Sequence, residues 1–214
     1  MAQARQAALG LRVHSGWAAM VAVSVEKGAP VILARQRVHL VETFAYEFRQ
    51  PYHTAEKMLL GQAREFISRM QAEARRLAYR AMRELESRTR EQGVQLKRCG
   101  LLLASGRPLP DLEKILASHA LIHTADGELF REAIAHASAR SGLTMWSIKE
   151  RELLERAGQA FRMKSASLLR RVTELGRPLG SPWTQDEKFA TLAAWLALYA
   201  SQRGGREIRT QNVA

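Results

Sequence analysis

Residues 8–25, ALGLRVHSGWAAMVAVSV, decide how this chain folds. Apolar residues alternate with polar or small ones on both sides of a turn at 15–16, and a period of two is typical of strands. A third run with strand character, residues 30–41, follows a second turn at 26–29. We therefore expect three consecutive antiparallel strands before the first helix, with one face of the hairpin packed on a core.

The composition favours a partner that carries negative charge. The chain has 214 residues, is 46% hydrophobic and has a formal net charge of +12, so it can bury a sizeable core while remaining strongly basic. The excess is largest at the C-terminal end, where residues 149–214 carry 12 Lys or Arg and 7 Asp or Glu. Such a balance favours nucleic acid, the ribosome or an acidic surface. A basic bias shared by a whole proteome is the alternative explanation.

Cysteine content and hydropathy exclude several classes of protein. The single cysteine, Cys99, lies in an apolar strand, which excludes a disulfide framework and a thiolate metal cluster. The N-terminal residues form no apolar leader, and the most apolar helix, 189–200, is too short to span a bilayer. We expect a cytoplasmic protein with no membrane partner.

A long helix is predicted after the third strand. No proline occurs from Thr54, the expected N-cap, to Gln92, and Gly93 is a natural C-cap. About 37 residues at 1.5 Å each give roughly 55 Å, longer than a compact domain of this size. The helix therefore either kinks or projects as an arm, and a projecting apolar stripe would suit a homodimer. The stripe comprises Leu59, Ala63, Phe66, Ile67, Met70, Ala74, Leu77, Ala78, Ala81, Met82 and Leu85.

The second half of the chain alternates strands and helices. We expect a strand at 94–104, a short helix ending at 117, a helix capped by Thr124 or Asp126 and ending at 141, a strand at 143–148, and helices at 149–158, 165–175 and 184–201. The prediction is a single α/β domain over 1–203, with the long helix 54–92 as an insertion and a flexible tail at 204–214. Its sheet would be mixed and five-stranded, an antiparallel meander followed by β-α-β.

This order of elements is that of the ribonuclease H-like fold. Three stretches resemble bacterial Holliday-junction resolvases of the RuvC type: LGLRVHSGWAAMVAV at 9–23, ADGELFREAIAHASARSGLTMWSIKEREL at 125–153 and TQDEKFATLAAWLAL at 184–198. The resemblance covers about 8–41 and 94–200 in pieces of low similarity and leaves the long helix outside it. It implies a mixed sheet flanked by helices.

In that family, carboxylates on the first strand, at the end of the fourth strand and on the final helix hold two divalent metals that promote phosphodiester cleavage. Here the first position is Arg12, and the fourth strand ends in Leu103-Ala104-Ser105 without an acid. The final helix keeps Asp186 and Glu187, but Phe189 stands where the family often has a further acid. The departures imply a nuclease fold without its metal site.

Three functional hypotheses follow. The first is a catalytically inactive nuclease-fold protein that binds DNA or structured RNA through a basic face, without a cofactor. The second is a divergent metal-dependent endonuclease with Asp186, Glu187 and His14 as catalytic residues and Mg²⁺ as cofactor. The third is an interaction module that uses the long helix. In the first hypothesis Arg12 itself meets a phosphate, and the other nucleic-acid-binding candidates are Lys97, Arg98, Arg107, Arg162, Lys164, Arg170, Arg171 and Arg177.

Two further patterns have ordinary explanations. Thr184 followed by Asp186 and Glu187 is typical of a helix N-terminus, because acids there complement the helix dipole. His119 and His123 are spaced i,i+4, as in some zinc sites, but the intervening residues look like core and no third ligand is close in sequence. We therefore expect no metal ion at this pair.

Overall fold

The computed structural model describes residues 5–104 and 108–202, with side chains described as far as residue 200. Its centre is one mixed sheet with the strand order β3-β2-β1-β4-β5. The first three strands pair antiparallel, whereas β4 runs parallel to β1 and β5 runs parallel to β4. This confirms the predicted fold class. The strands are β1 (Arg5–His14), β2 (Trp17–Glu26), β3 (Ala29–His39), β4 (Val94–Leu103) and β5 (Thr144–Lys149).

Helices cover both faces of the sheet. They are α1 (Tyr46–Arg49), α2 (Pro51–Ala55), α3 (Leu60–Glu91), α4 (Leu112–Leu116), α5 (His119–Arg140), α6 (Leu153–Phe161), α7 (Ser165–Gly176) and α8 (Gln185–Gln202), with 3₁₀ turns at Glu150–Glu152 and Arg177–Leu179. Among the described residues, no helix combines the length and the apolar character needed to cross a membrane.

The alternation along β1 assigns its two faces to different helices. Leu9, Leu11 and Val13 share a core with residues of α3 and α5, whereas Ala8 belongs to a cluster with Ala190 and Ala194 of α8. Because side chains of a strand alternate between faces, the residues at 8, 10, 12 and 14 form the face of β1 turned toward α8.

Glycines let α8 lie directly on the sheet. A Cβ at Gly10 would come within 1.7 Å of the carbonyl oxygen of Ala190, and one at Gly100 within 2.4 Å of that of Ala193. Gly10 and Gly100 are paired across β1 and β4, so backbone meets backbone over two neighbouring strands. This close approach brings the first turn of α8 alongside the carboxyl end of β1.

The predicted long helix is divided. Thr54 does not cap a helix but lies within α2, where its hydroxyl donates to the carbonyl oxygens of Glu47 and Gln50. Turn residues follow α2, and α3 begins at Leu60 without a side-chain cap. At 1.5 Å per residue, its 32 residues extend about 48 Å.

The apolar stripe of α3 is covered by the chain itself. Every stripe residue from Ala63 to Leu85 is buried, and α3 packs mainly on α5, with further contacts to β4 and β3. Only Leu59, which precedes the helix, is strongly exposed, at 74%. Because the stripe is buried within the chain, it gives no support to the predicted projecting arm or to a homodimer formed through α3.

Helix α5 begins earlier than expected, after Ser118 rather than at Thr124 or Asp126. The Thr124 hydroxyl donates to the carbonyl oxygen of Ala120 inside the helix, and Asp126 is buried against α2, where it accepts the backbone N–H of Tyr52. These polar residues serve tertiary contacts instead of starting a helix. The predicted tail at 204–214 lies outside the described residues.

Candidate functional site: a guanidinium between two carboxylates

The site lies at the carboxyl end of β1, where three elements converge. Arg12 and His14 stand on the face of β1 turned toward α8, and Asp186 lies four residues, about one helical turn, before Ala190, which covers Gly10. Glu150 directly follows β5. Since β1, β4 and β5 are parallel, their carboxyl ends share one edge of the sheet, as in many α/β sites.

Arg12 joins the two carboxylates. Its Nε donates to Glu150 Oε2 at 2.9 Å and its Nη2 to Oε1 at 2.6 Å, a bidentate geometry that suits the planar guanidinium. Its Nη1 donates to Asp186 Oδ1 at 2.6 Å. All three guanidinium nitrogens are engaged, and the side chain is 18% exposed. Arg12 thus occupies the space on which both acids converge.

His14 adds a second contact to the same oxygen. Its Nε2 donates to Asp186 Oδ1 at 2.7 Å, and its ring stacks on Trp17 with a centroid distance of 4.4 Å. The guanidinium of Arg37 lies over the other ring of this stack, 3.8 Å from the Trp17 centroid. The imidazole is therefore held in place by packing as well as by its carboxylate.

The electrostatics of the cluster favour the ionised forms of both partners. The hydrogen bond with Glu150 raises the pKa of Arg12 above its ordinary value, although burial acts in the opposite direction. Burial would raise the pKa of Asp186, but hydrogen bonds and charge from His14 and Arg12 outweigh it and hold that pKa below its usual range. Two carboxylates thus share one guanidinium, which is hydrogen-bonded to both.

Phe189 completes the enclosure of Arg12. It lies one residue before Ala190 on α8, and its ring centroid is 5.3 Å from the Arg12 guanidinium carbon. An aromatic face attracts a cation, whereas a further acid here would attract a metal ion. Phe189 therefore stabilises the Arg12 guanidinium and offers no ligand to a metal ion.

The site does not fit the divalent ions that the resemblance implies. Two carboxylates converge, as a two-metal mechanism requires, but a permanent cation lies between them. At the end of β4, neither Leu103 nor the following Ala104 has a side-chain oxygen. A metal ion would have to displace Arg12 from three hydrogen bonds.

The three catalytic candidates are only partly brought together. Asp186 contacts His14, but Glu187 turns back to Thr184 and accepts its backbone N–H at 2.7 Å and its hydroxyl at 2.6 Å. Thr184 Oγ1 in turn accepts the backbone N–H of Asp186 at 3.2 Å. Glu187 thus belongs to the N-terminal cap of α8, in agreement with the ordinary explanation of this pattern.

Most hydrogen-bond donors of Arg12 are already engaged, which leaves few for the phosphate contact that the first hypothesis expects. Three of its five N–H groups are directed to the carboxylates of Glu150 and Asp186. Lys97 and Arg98 lie in the amino-terminal half of β4, away from this edge. Arg107 lies outside the described residues.

The remaining nucleic-acid-binding candidates form one basic segment, residues 162–177, which runs from the end of α6 through α7. Arg162, Lys164, Arg170 and Arg177 are exposed. Arg171 is half-buried, and its guanidinium lies 6.0 Å from the ring centroid of Trp195. Arg162 and Arg171 line one cavity of about 520 Å³.

Sequence reasoning missed Glu150, the main partner of Arg12. It lies within the stretch 125–153 that resembles the family, and the resemblance gives it no role. The position of Glu150 in the sequence is the signal that could have identified it. An acid that directly follows a parallel strand lies at the same edge of the sheet as the other expected site residues.

The chain has the ribonuclease H-like fold, as its strand order and flanking helices indicate. Among solved structures it is similar to T. thermophilus RuvC in complex with Holliday junction substrate, at 10% identity and a TM-score of 0.53, over 93% of this chain and 96% of that one. A second Thermus thermophilus RuvC structure is 12% identical with a TM-score of 0.49, over 92% and 96%. No protein-family model matches the sequence, and no curated protein matches it.

Proposed function

We propose that this chain is a nucleic-acid-binding protein on a nuclease fold that binds DNA or structured RNA without cleaving it. The observation that carries the proposal is the position of Arg12 between Asp186 and Glu150. The guanidinium occupies the space between the acids that would otherwise recruit divalent ions, and it can neither activate water nor stabilise a leaving oxygen as a pair of metals does. The fold is then retained for its surface.

The basic segment supplies the binding surface in this proposal. Residues 162–177 hold five cationic side chains and one acid, Glu174. Within the part of the chain that the structure describes, none of the five forms an ion pair with a carboxylate. They therefore remain available to phosphate groups, which Lys and Arg contact irrespective of base sequence.

The arginines of the long helix α3 differ from the cations of the basic segment in that most are paired with acids. Its arginines are also numerous, but five of them are paired with glutamates: Arg75 with Glu132, Arg76 with Glu42, Arg80 with Glu84, and both Arg83 and Arg90 with Glu86. Phosphate binding there would compete with these contacts. Charge on α3 is mostly used within the chain, so we assign the nucleic-acid surface to the basic segment.

The test compares two variants that lose the same charge. The first carries Lys164→Gln, Arg170→Gln and Arg177→Gln in the basic segment, and the control carries Arg80→Gln, Arg83→Gln and Arg90→Gln on α3. Fluorescence anisotropy is measured with duplex, four-way-junction, single-stranded DNA and hairpin RNA probes over a salt series. We expect steeply salt-dependent binding by the native chain.

The basic-segment variant should lose about tenfold or more in affinity for all probes, and its slope of log K against log salt should fall by about 2 to 3, since each lost phosphate contact accounts for about 0.9. Equal losses in both variants would mean that only net charge matters and would overturn the assignment. Salt-insensitive binding, or none, would overturn the proposed function itself.

Cleavage is tested separately. The native chain is incubated with Mg²⁺ or Mn²⁺ and labelled four-way-junction DNA or structured RNA, with Asp186→Asn as the comparison. We expect intact substrate with both proteins. Cutting that Asp186→Asn abolishes would support the divergent endonuclease instead, with His14 and Asp186 as a rearranged centre.

A further inference from the structure

Three histidines come together at the junction of α2 and α5, in a cluster distinct from the Arg12 contacts. His53 belongs to α2, and His119 and His123 lie on the first two turns of α5. One ligand atom from each lies within 4.8 Å of those of the other two. The Nε2 atoms of His119 and His123 are 3.0 Å apart, and the rings meet edge to face. We call this the three-histidine cluster.

We propose that His53, His119 and His123 bind one Zn²⁺ ion, with water in the fourth coordination position. Imidazole nitrogens bind zinc at about 2.0 to 2.1 Å, so neighbouring ligands of a tetrahedral ion stand roughly 3.3 Å apart. The Nε2 atoms of His119 and His123 are already near this spacing, at 3.0 Å, and the ligand atom of His53 lies within 4.8 Å of both residues' ligand atoms. The i,i+4 pair supplies two ligands from one face of a helix, and α2 supplies the third.

Asp126 is the second observation that points to a metal. Its Oδ2 accepts a hydrogen bond from His53 Nδ1 at 2.5 Å, and its Oδ1 accepts the backbone N–H of Tyr52 at 2.7 Å. The contact with Asp126 leaves Nε2 as the nitrogen of His53 available to a ligand. A carboxylate that fixes the tautomer and orientation of a histidine in this way is typical of zinc sites.

A buried carboxylate stands directly beside the proposed site. The Asp126 side chain is only 4% exposed, and it contacts His53. An ion on His53 would add positive charge beside this buried carboxylate. His119 and His123 are exposed, so an ion can reach the cluster from solvent.

One member of the three-histidine cluster also borders a cavity. His123 lines a cavity of about 410 Å³ together with His14, Ser15 and Arg131. Three protein ligands with one exchangeable position are the arrangement of open rather than closed zinc sites. The ion would also link α2, which is only five residues long, to α5. Binding would therefore stabilise the packing of these two helices.

The test uses the full chain without a histidine tag, stripped with a chelator and free of nucleic acid. Zn²⁺ is titrated in competition with a chromophoric chelator, and Co²⁺ is added separately to record the absorption bands of tetrahedral coordination. We expect one equivalent of metal and a rise in Tm on binding. His119→Ala and His123→Ala each should lower the affinity by more than about 100-fold, and Asp126→Asn by about 10- to 100-fold.

His136→Ala is the matched control, because His136 is exposed on the same helix α5 but lies outside the cluster. It should bind Zn²⁺ as the native chain does. Should the native chain bind no more tightly than the double variant His119→Ala, His123→Ala, or should His136→Ala lose as much affinity, the proposal is wrong. Both substituted histidines are exposed, and a far-ultraviolet circular dichroism spectrum establishes that each variant is folded. Since no nucleic acid is present, this result is independent of the proposed function.

Discussion

Replacing Arg12 with Gln removes the cation on which two acids converge, and its cost can be worked from the geometry. Three hydrogen bonds to carboxylates are lost. Leaving a fully buried charge without its partner costs about 3 to 5 kcal/mol, whereas exposed ion pairs contribute about 0 to 1 kcal/mol. The side chains of Arg12, Asp186 and Glu150 are 18%, 20% and 36% exposed, between these limits. We expect a loss of about 2 kcal/mol.

The assay is equilibrium unfolding in urea, followed by circular dichroism, together with a thermal scan. A loss of this size corresponds to a decrease in Tm of about 4 to 8 °C for a chain of this length. Arg90→Gln is the control, because its ion pair with Glu86 is exposed at the arginine and should contribute less than about 1 kcal/mol.

Two further measurements separate charge from packing. Adding Glu150→Gln to Arg12→Gln should recover part of the lost stability, since one of the two facing acids is removed. Millimolar Mg²⁺ should raise the Tm of Arg12→Gln but not that of the native chain, because only the variant has no guanidinium between the two carboxylates. If Arg12→Gln is no less stable than Arg90→Gln, Arg12 does not hold these acids and the reasoning fails.

Gly10→Ala should destabilise the fold by about 3 kcal/mol or more in urea unfolding, because the added Cβ would meet the carbonyl oxygen of Ala190. Gly61→Ala is the control, at a helical position with nothing within 4 Å, and should be neutral or stabilising. Equal losses of stability in the two variants would refute the close approach of α8 to β1. Asp186 has a lowered pKa in the folded chain, so its contribution is present above the unfolded value of about 4 and is lost as pH falls through the folded value. The difference in stability between the native chain and Asp186→Asn should therefore shrink below about pH 4, and a constant difference would contradict this. Burial raises the pKa of the Cys99 thiol to about 12, so a thiol reagent at mildly alkaline pH should label it only after unfolding; rapid labelling of the native chain would contradict the burial.

The fold was largely predictable because its signals are local. Strand alternation in residues 8–25, the turns and the sequence of strands and helices each depend on neighbouring residues, and the observed sheet is mixed and five-stranded, as predicted. Helix starts were harder, because polar residues such as Thr54 and Asp126 resemble caps but are used in tertiary contacts. The length of α3 was misjudged for the same reason.

The site was only partly predictable, because its partners are far apart in sequence. The family pattern is enough to single out Arg12 and Asp186. The bridge from Asp186 through the guanidinium to Glu150, however, depends on how α8 and β5 approach β1. The three-histidine cluster was only partly predictable for the same reason. The pair on α5 was visible as i,i+4 spacing, whereas His53 reaches it from another helix across more than sixty residues.

The central claim is that Arg12 holds the place of a divalent ion, and a crystal soaked in Mn²⁺ tests it most directly. Anomalous scattering locates manganese without reference to the protein density. The account predicts no peak between Asp186 and Glu150, with the Arg12 guanidinium still hydrogen-bonded to both carboxylates. A manganese ion coordinated by these two carboxylates, with Arg12 turned away, would contradict it.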